Sequence, residues 1–420
     1  MLNQKAYQSL SHTFQRLHRF GHLGAIAGWD QAAMMPPKGN EARAAAQAEL
    51  QVLMHQLITA PQLQEQLQAA EQEDLDPAQR ANLREMRREW QQANLLPAEL
   101  VEAKSLAAAR CEHAWRSQRQ GNDWQGFLLN FREVRDLGLE VMQLLGFDFD
   151  AGRLDVSNHP FCGGVPEDVR ITTRYREDDF VQSLMGIIHE TGHARYEQGL
   201  PRQWVEQPVG RARSMGIHES QSLSFEMQLG RSRGFLALIA PLIRRRFGDQ
   251  PAFEADNLAR LYTRVEPGYI RVDADELCYP AHVILRFEIE RALINGEIEA
   301  EDVPALWDEK MMAYLGIDTR GNYRDGCLQD IHWTDTFGYF PSYTLGAMYA
   351  AQYFAVLRRQ EPNLDARVAA GDLSPVFDWL QANIWSQGSL WTTDELARRA
   401  TGEALNPAHY RAHLEARYLG

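Results

Sequence analysis

The chain has 420 residues, 45% hydrophobic and 24% charged, the balance of a globular protein with enough length for a large core. A net charge of −14 argues against a nucleic-acid-binding surface, and the longest apolar run, FLALIAPLI at 235–243, is too short to cross a bilayer. Cys111, Cys162, Cys278 and Cys327 are scattered without a CxxC pair, which sets aside a zinc knuckle or a disulfide framework and fits a reduced cytoplasm.

The N-terminus is amphipathic and polar-rich, with no apolar h-region, so no secretory signal is expected. Leu10, Phe14, Leu17 and Phe20 recur at helical spacing, and MMPPKGN at 34–40 breaks that helix. A second helix at about 41–58 carries Ala45, Leu50, Leu53 and Met54 on one side. Residues 62–96, rich in Gln, Glu, Arg and Ala, read as a long solvent-exposed helical hairpin. Further helices are expected at 97–119 and from about Asp123 to Leu145. The texture then changes. LDV (154–156) and VRITTRY (169–175) read as two strands of a hairpin-like sheet, joined by the turn-rich HPFCGGVPED. An edge strand there could hold an extended peptide.

Residues 180–199, FVQSLMGIIHETGHARYEQG, read as a helix carrying HETGH, with Glu177, Asp178 and Asp179 before its start and Gly199 with Pro201 at its stop. His189 and His193 are four apart, so both imidazoles leave one face and can share a metal. Glu190 sits on the flank of that face, where it can take a proton from water activated at the metal. Gly192 in mid-helix costs about 1 kcal/mol relative to alanine, which suggests that something needs the room.

A third ligand is required. Tyr196 and Gly199 stand where a metzincin pattern would need glycine and histidine, so the candidate is a glutamate from a following helix. Glu219 in IHESQS is that candidate, and His218 beside it competes. Later helices are expected at 233–247, 251–264, 275–295, 303–315, 345–359, 364–370, 374–385, 393–400 and 407–417, with a glycine- and aromatic-rich interruption at 316–345. The arginines around 231–247 read as a solvated helix face. The expectation is a mostly α chain: one large helical domain, 1–420, with an N-terminal helical part (1–150), a catalytic part (151–420) and a small β-sheet beside the metal helix.

With these residues in view, the chain resembles the carboxypeptidase Taq family of HEXXH zinc metallocarboxypeptidases. The resemblance rests on HPF at His159, Pro160 and Phe161; on Asp168, Arg170 and Thr172; on His218, Glu219, Ser220 and Gln221; on Ile270, Arg271, Ala274, Asp275 and Glu276; and on Gly326, Gln329, Asp330, His332 and Trp333. GWD at 28–30 with MPPKG at 35–39 also matches the family's N-terminal segment. It implies a deep groove with the metal at its floor, homodimers, peptide substrates, and removal of single C-terminal residues with broad preference. It also implies one zinc per chain, with cobalt as a possible substitute, held by His189, His193 and Glu219, and Glu190 as general base.

An oxyanion needs donors besides the metal, for which His332, Tyr339 and Tyr343 are candidates. A planar arginine suits a terminal carboxylate. Arg271 is the first choice and Arg170 the second, with His159 and Asp168 as further substrate-binding positions; Arg170 could instead tie Asp168 and the sheet in place. Asp330 and Asp275 are candidate orienting partners. The chain departs from the family after about residue 134, where several helices are missing. Two other readings are an internally cutting oligopeptidase with the same site and a zinc-bearing binding protein that no longer catalyses. Retention of Glu190, which metal binding does not need, argues against the second.

Overall fold

In the computed structural model, Leu10, Phe14 and Leu17 line one face of a 29-residue helix, α1 (Lys5–Ala33). The structure describes residues 4–97, 99–104, 107, 132–157, 160–175, 180–334 and 336–419. Most of the helix expected at 97–119, the start of the next, Cys111, His159 and the acidic residues 177–179 lie outside the described residues.

After the break at Pro36, α2 (Asn40–Ile58) folds back on α1, tied by Arg43 Nη2 to Asp30 Oδ2 at 2.7 Å. Only Ala48 of α2 is buried: Gln51, Met54, His55 and Ile58 face an open cleft, and Leu53 is exposed elsewhere on the helix. The segment read as a solvent-exposed hairpin is two helices, α3 (Pro61–Ala70) and α4 (Pro77–Ala93). Leu63, Leu67, Leu83 and Met86 bury one face of the pair against α1, so its polar composition marks only the outer side. A capping box starts α4: Gln79 N–H donates to Asp76 Oδ1 at 2.8 Å, and Asp76 N–H donates to Gln79 Oε1 at 3.0 Å.

After α5 (Arg132–Leu144) the chain makes β1 (Gly152–Val156), β2 (Phe161–Val165) and β3 (Asp168–Thr173) in the order β1-β3-β2. This corrects the two-stranded hairpin. β1 is parallel to β3, with Gly152 opposite Val169, and the antiparallel partner of β3 is β2, with Val165 opposite Asp168. The glycines read as turn residues belong to β2, and only Pro166 and Glu167 make the turn. Gly164 takes a φ of 112°, and a Cβ there would lie 2.1 Å from the Asp168 carbonyl oxygen. β2 is an edge strand that lines the cleft.

The main core collects around α6 (Phe180–Gly199), whose Leu184, Ile188 and Tyr196 pack with Ile217, Phe225 and Phe235. Next is α7 (Met215–Leu223), capped by Ser214, whose Oγ accepts from Ile217 N–H at 3.2 Å. It runs directly into a π-helical stretch, Ser224–Gly230. Beyond lie α8 (Arg233–Phe247), α9 (Ala255–Tyr262), α10 (Tyr279–Ile294), α11 (Val303–Leu315) and α12 (Pro341–Gln360). α12 starts four residues earlier than expected because Pro341 opens it, where a missing N–H costs nothing. The last helices are α13 (Leu364–Ala369), α14 (Ser374–Asn383), α15 (Thr393–Thr401) and α16 (Pro407–Tyr418).

Two close approaches set the position of α7. A Cβ at Gly192 would come 2.5 Å from the Gln221 carbonyl oxygen, and one at Gly346 would come 2.4 Å from Glu219 Cβ. α7 is thus clamped between α6 and α12, and this is the room that the mid-helix glycine supplies.

Candidate metal centre and active-site cleft

His189 and His193 leave one face of α6 with ring centroids 5.0 Å apart. The clamped α7 brings Glu219 Oε2 to 3.6 Å from Nε2 of each. Two donors at 2.0–2.1 Å from a tetrahedral centre stand about 3.4 Å apart, so the spacing suits one cation. The three donor atoms lie within 4.8 Å of one another, the one such group among the described residues. Beside them Glu190 Oε2 is buried with no hydrogen-bond partner. The donor set and the orphaned carboxylate oxygen fit a divalent metal with a proton acceptor next to it.

Each donor residue is held from behind. His189 Nδ1 is 2.9 Å from Glu226 Oε2, and Arg231 Nη2 donates to the other oxygen of Glu226 at 2.6 Å. His193 Nδ1 is 2.6 Å from His218 Nδ1, and His218 Nε2 is 2.8 Å from Glu197. Glu219 accepts from Tyr339 Oη at 2.7 Å and from Ser222 Oγ at 3.0 Å. His218, the competing ligand, therefore stands behind His193. Glu226 escaped the sequence reading, and Arg231 was read there as part of a solvated helix face. Arg231, its side chain 10% exposed, lines the cleft instead of sharing the solvated face of the arginines after it. The available signal for Glu226 was its place seven residues after Glu219, two turns along the same helical face.

Charge follows this packing. Burial alone would lower the pKa of His189, but the hydrogen bond to Glu226 and the charges of Glu226, Glu190 and Glu219 bring it up to about 9. Burial raises Glu190 to about 7. Burial, with His218 and His189 beside it, holds His193 well below the usual histidine range.

A second cluster lies across the cleft. Arg271 Nη2 donates to Asp330 Oδ1 at 2.9 Å, and Arg286 Nε donates to Asp330 Oδ2. His332 Nδ1 is 3.1 Å from Asp330, and its Nε2 is 2.9 Å from Tyr343 Oη. The Arg271 guanidinium stacks on the Tyr343 ring at 4.4 Å. Burial alone would raise the Asp330 pKa, yet the two guanidiniums outweigh it and hold the carboxyl well below its usual range. Asp275 takes no part, since it accepts from the backbone N–H groups of Glu266, Leu277 and Cys278.

The cleft between the two clusters has a volume of about 1330 Å³. His18 and His55 of the N-terminal helices, Phe161 and Cys162 of β2, and Arg271 with Tyr343 are among its lining residues. The structure thus brings His189, Glu190, His193, Glu219, Arg271, His332, Tyr339 and Tyr343 to one cavity. Arg170 and Asp168 are not among the lining residues. They pair with each other at 3.0 Å, and Arg170 lies over the buried Trp29 ring at 4.7 Å. That arrangement ties β3 to α1, the alternative read for Arg170.

The family model described as carboxypeptidase Taq (M32) metallopeptidase matches residues 9–140 and 129–418. Thermostable carboxypeptidase 1 of Thermus thermophilus is 34% identical over 506 aligned positions, covering 100% of this chain and 99% of that protein. Among solved structures, Trypanosoma cruzi metallocarboxypeptidase 1 superposes with a TM-score of 0.90 at 45% identity, covering 100% of both chains. The M32 carboxypeptidase of Deinococcus radiodurans R1 gives 0.89 at 31%, covering 98% of each. The two matched stretches overlap at 129–140, and the Thermus alignment is longer than this chain, so that relative carries segments absent here.

Proposed function

The chain belongs to the carboxypeptidase Taq (M32) metallopeptidase family, and on that premise we propose that it releases single amino acids from peptide C-termini with broad preference, using zinc. The observation that carries the reading is the convergence of His189, His193 and Glu219 beside the unpartnered Glu190 oxygen, in a cleft that also presents a buried arginine. When bound there, a divalent cation would lower the pKa of water and polarise the scissile carbonyl, and cobalt suits the same donors.

Glu190 is the general base. With a pKa of about 7 it can accept a proton from the attacking water and return it to the leaving amine nitrogen near neutral pH. Glu226 and His218 orient the two imidazoles, and Tyr339, whose hydroxyl is spent on Glu219, orients the third donor. That leaves Tyr343, whose hydroxyl oxygen can accept from His332 Nε2–H and keep its own proton, as the donor for the oxyanion. Arg271 receives the terminal carboxylate, and the outer edge of β2 receives the extended backbone of the peptide.

The protein is further proposed to act as a homodimer, which light scattering on the purified chain would test. A cytoplasmic setting agrees with the free thiols of Cys162, Cys278 and Cys327. The test of the activity is a mass-spectrometric time course on a mixed peptide pool, with and without chelator. One-residue C-terminal ladders, silenced by chelator and restored by zinc or cobalt, are expected. Internal cuts would overturn the exopeptidase reading. Glu190→Gln should keep its metal and lose hydrolysis, and persistent hydrolysis would remove Glu190 as the base.

A further inference from the structure

The cluster around Asp330 does not balance its charge. Arg271 and Arg286 are 2% and 0% exposed and share the single carboxylate of Asp330, itself 6% exposed. The remaining side-chain partners in contact among the described residues are rings: Tyr343 under Arg271 and Trp307 under Arg286 at 4.4 Å each, Phe340 6.0 Å from Arg286, and His282, whose Nδ1 is 3.4 Å from Arg286 Nη1 and whose pKa burial brings down to about 3. His332 lies between Asp330 and Tyr343, with Nδ1 3.1 Å from Asp330 and Nε2 2.9 Å from Tyr343 Oη. Two guanidiniums facing one carboxylate leave a unit of positive charge in a desolvated place, which is costly unless an anion completes it. Arg271 is the member of the pair that lines the cleft, so the completing anion must come from the cleft side.

Geometry restricts how it arrives. The Nε and Nη2 atoms of Arg271 both face Asp330, at 3.5 Å and 2.9 Å, and its plane lies on the Tyr343 ring. Arg286 takes the second oxygen of Asp330 through Nε and anchors itself through Nη1 to the His282 carbonyl at 2.8 Å. Asp330 is thereby fixed from two sides, and Arg271 inherits its aim from it.

We propose that Arg286, which never touches substrate, is the positioning residue for the carboxylate end of the peptide: through Asp330 it aims Arg271, and its charge leaves the pair one unit positive for the terminal carboxylate to neutralise. This rests on the reading of Arg271 as the carboxylate receptor. Without Arg286, Asp330 would neutralise Arg271 by itself, and the cleft would lose much of its preference for an anion.

The test is calorimetric binding of N-acetyl-alanyl-phenylalanine and of its C-terminal amide to the metal-free protein, with kcat and KM on the zinc form beside it. The unaltered protein should prefer the acid. Arg286→Met, close to the arginine stem in shape, should lose about tenfold to thirtyfold of that preference, the effect of one unit charge at an effective dielectric near 20. Amide binding, metal affinity and kcat should change little, so the loss should fall on KM. An unchanged acid-to-amide ratio in Arg286→Met overturns the proposal and leaves Arg271 as the receptor. No preference in the unaltered protein removes the Arg271 reading and the proposal together. If Arg286→Met does not fold, Arg286→Lys carries the test. It retains the charge, so the preference should stay within a few-fold, and a loss as large as that of Arg271→Ala would overturn the proposal.

Discussion

Gly192→Ala tests whether the clamp on α7 builds the metal centre. The added methyl would meet the Gln221 carbonyl oxygen at 2.5 Å, Ser222 Cα at 2.7 Å and the Gln221 carbonyl carbon at 3.0 Å. All three are backbone atoms, so no rotamer change relieves the clash. Reaching ordinary contact at about 3.5 Å moves α7 some 1 Å away from α6. Alanine returns roughly 1 kcal/mol of helix propensity, against about 1–3 kcal/mol or more for overpacking. The net loss of about 0–2 kcal/mol shifts Tm by no more than about 2 °C in a chain of this length, taking the usual entropy of unfolding per residue. The larger effect is on the metal. Glu219 rides on α7 and stands 3.6 Å from both imidazoles, so the shift should weaken metal binding on the order of 10- to 100-fold, as loss of an outer support does. Gly186→Ala, on the same helix with nothing within 4 Å of the new methyl, is the control. It should hold or raise Tm and bind metal normally. The assay is competition for zinc with a chromogenic chelator, alongside thermal melts. A Gly192→Ala protein that binds zinc as tightly as its parent would refute the reasoning.

Three further outcomes are expected. Glu226→Gln keeps the shape but removes the charge behind His189, and zinc affinity should fall by about 10- to 100-fold, measured by the same competition. Tyr339→Phe and Tyr343→Phe should separate: the first lowers zinc affinity through Glu219, whereas the second lowers kcat by about 10- to 100-fold with metal content intact, and equal effects on both readouts would merge the two roles. Glu276 is wholly buried and accepts from His413, Arg417 and Tyr418 at 2.7, 2.9 and 3.1 Å. Burial alone would raise its pKa, but His413, Arg417 and the charge of Arg231 bring it down from 4.5 to about 2. A depressed carboxyl stabilises fully above its unfolded value of 4.5 and loses that contribution as pH falls through 2, so Glu276→Gln should cost about 3 kcal/mol at pH 7 and flatten the acid limb between those values in pH-dependent melts.

The convergence of His189, His193 and Glu219 was legible in the sequence, because HETGH on a helix and IHESQ on the next are local patterns with a geometric meaning. Its support was legible only in part. Asp330 stood in a recognised motif, but its second partner, Arg286, lies 44 positions away within an ordinary helical run, and nothing in the run marks it as buried. Arg231 was misread because a guanidinium that pairs with a carboxylate in the cleft wall looks, in sequence, like its exposed neighbours. The sheet was misjudged for a different reason. FCGGV has the composition of a turn, and only pairing with β3 makes it a strand. The side chains of α2 likewise could not announce a cleft that exists only when α1 and the metal helix stand opposite each other.

The π-helical stretch at Ser224–Gly230 has a consequence for how this site can vary. Its bonds span five residues where those of α7 span four, so the stretch holds one residue more than a regular helix over the same rise. Deleting one residue between Glu226 and Arg231 would let the helix close to the α form over the same rise and leave the two as i, i+4 neighbours, whereas inserting one more residue there would swing everything beyond it by about 100° around the axis. Arg231, at the exit, would turn away from Glu226, and the support behind His189 would go without any functional side chain having been replaced. Here the outer support of the candidate metal centre is written in a count of residues as much as in their identities, and insertions act on it as substitutions act elsewhere.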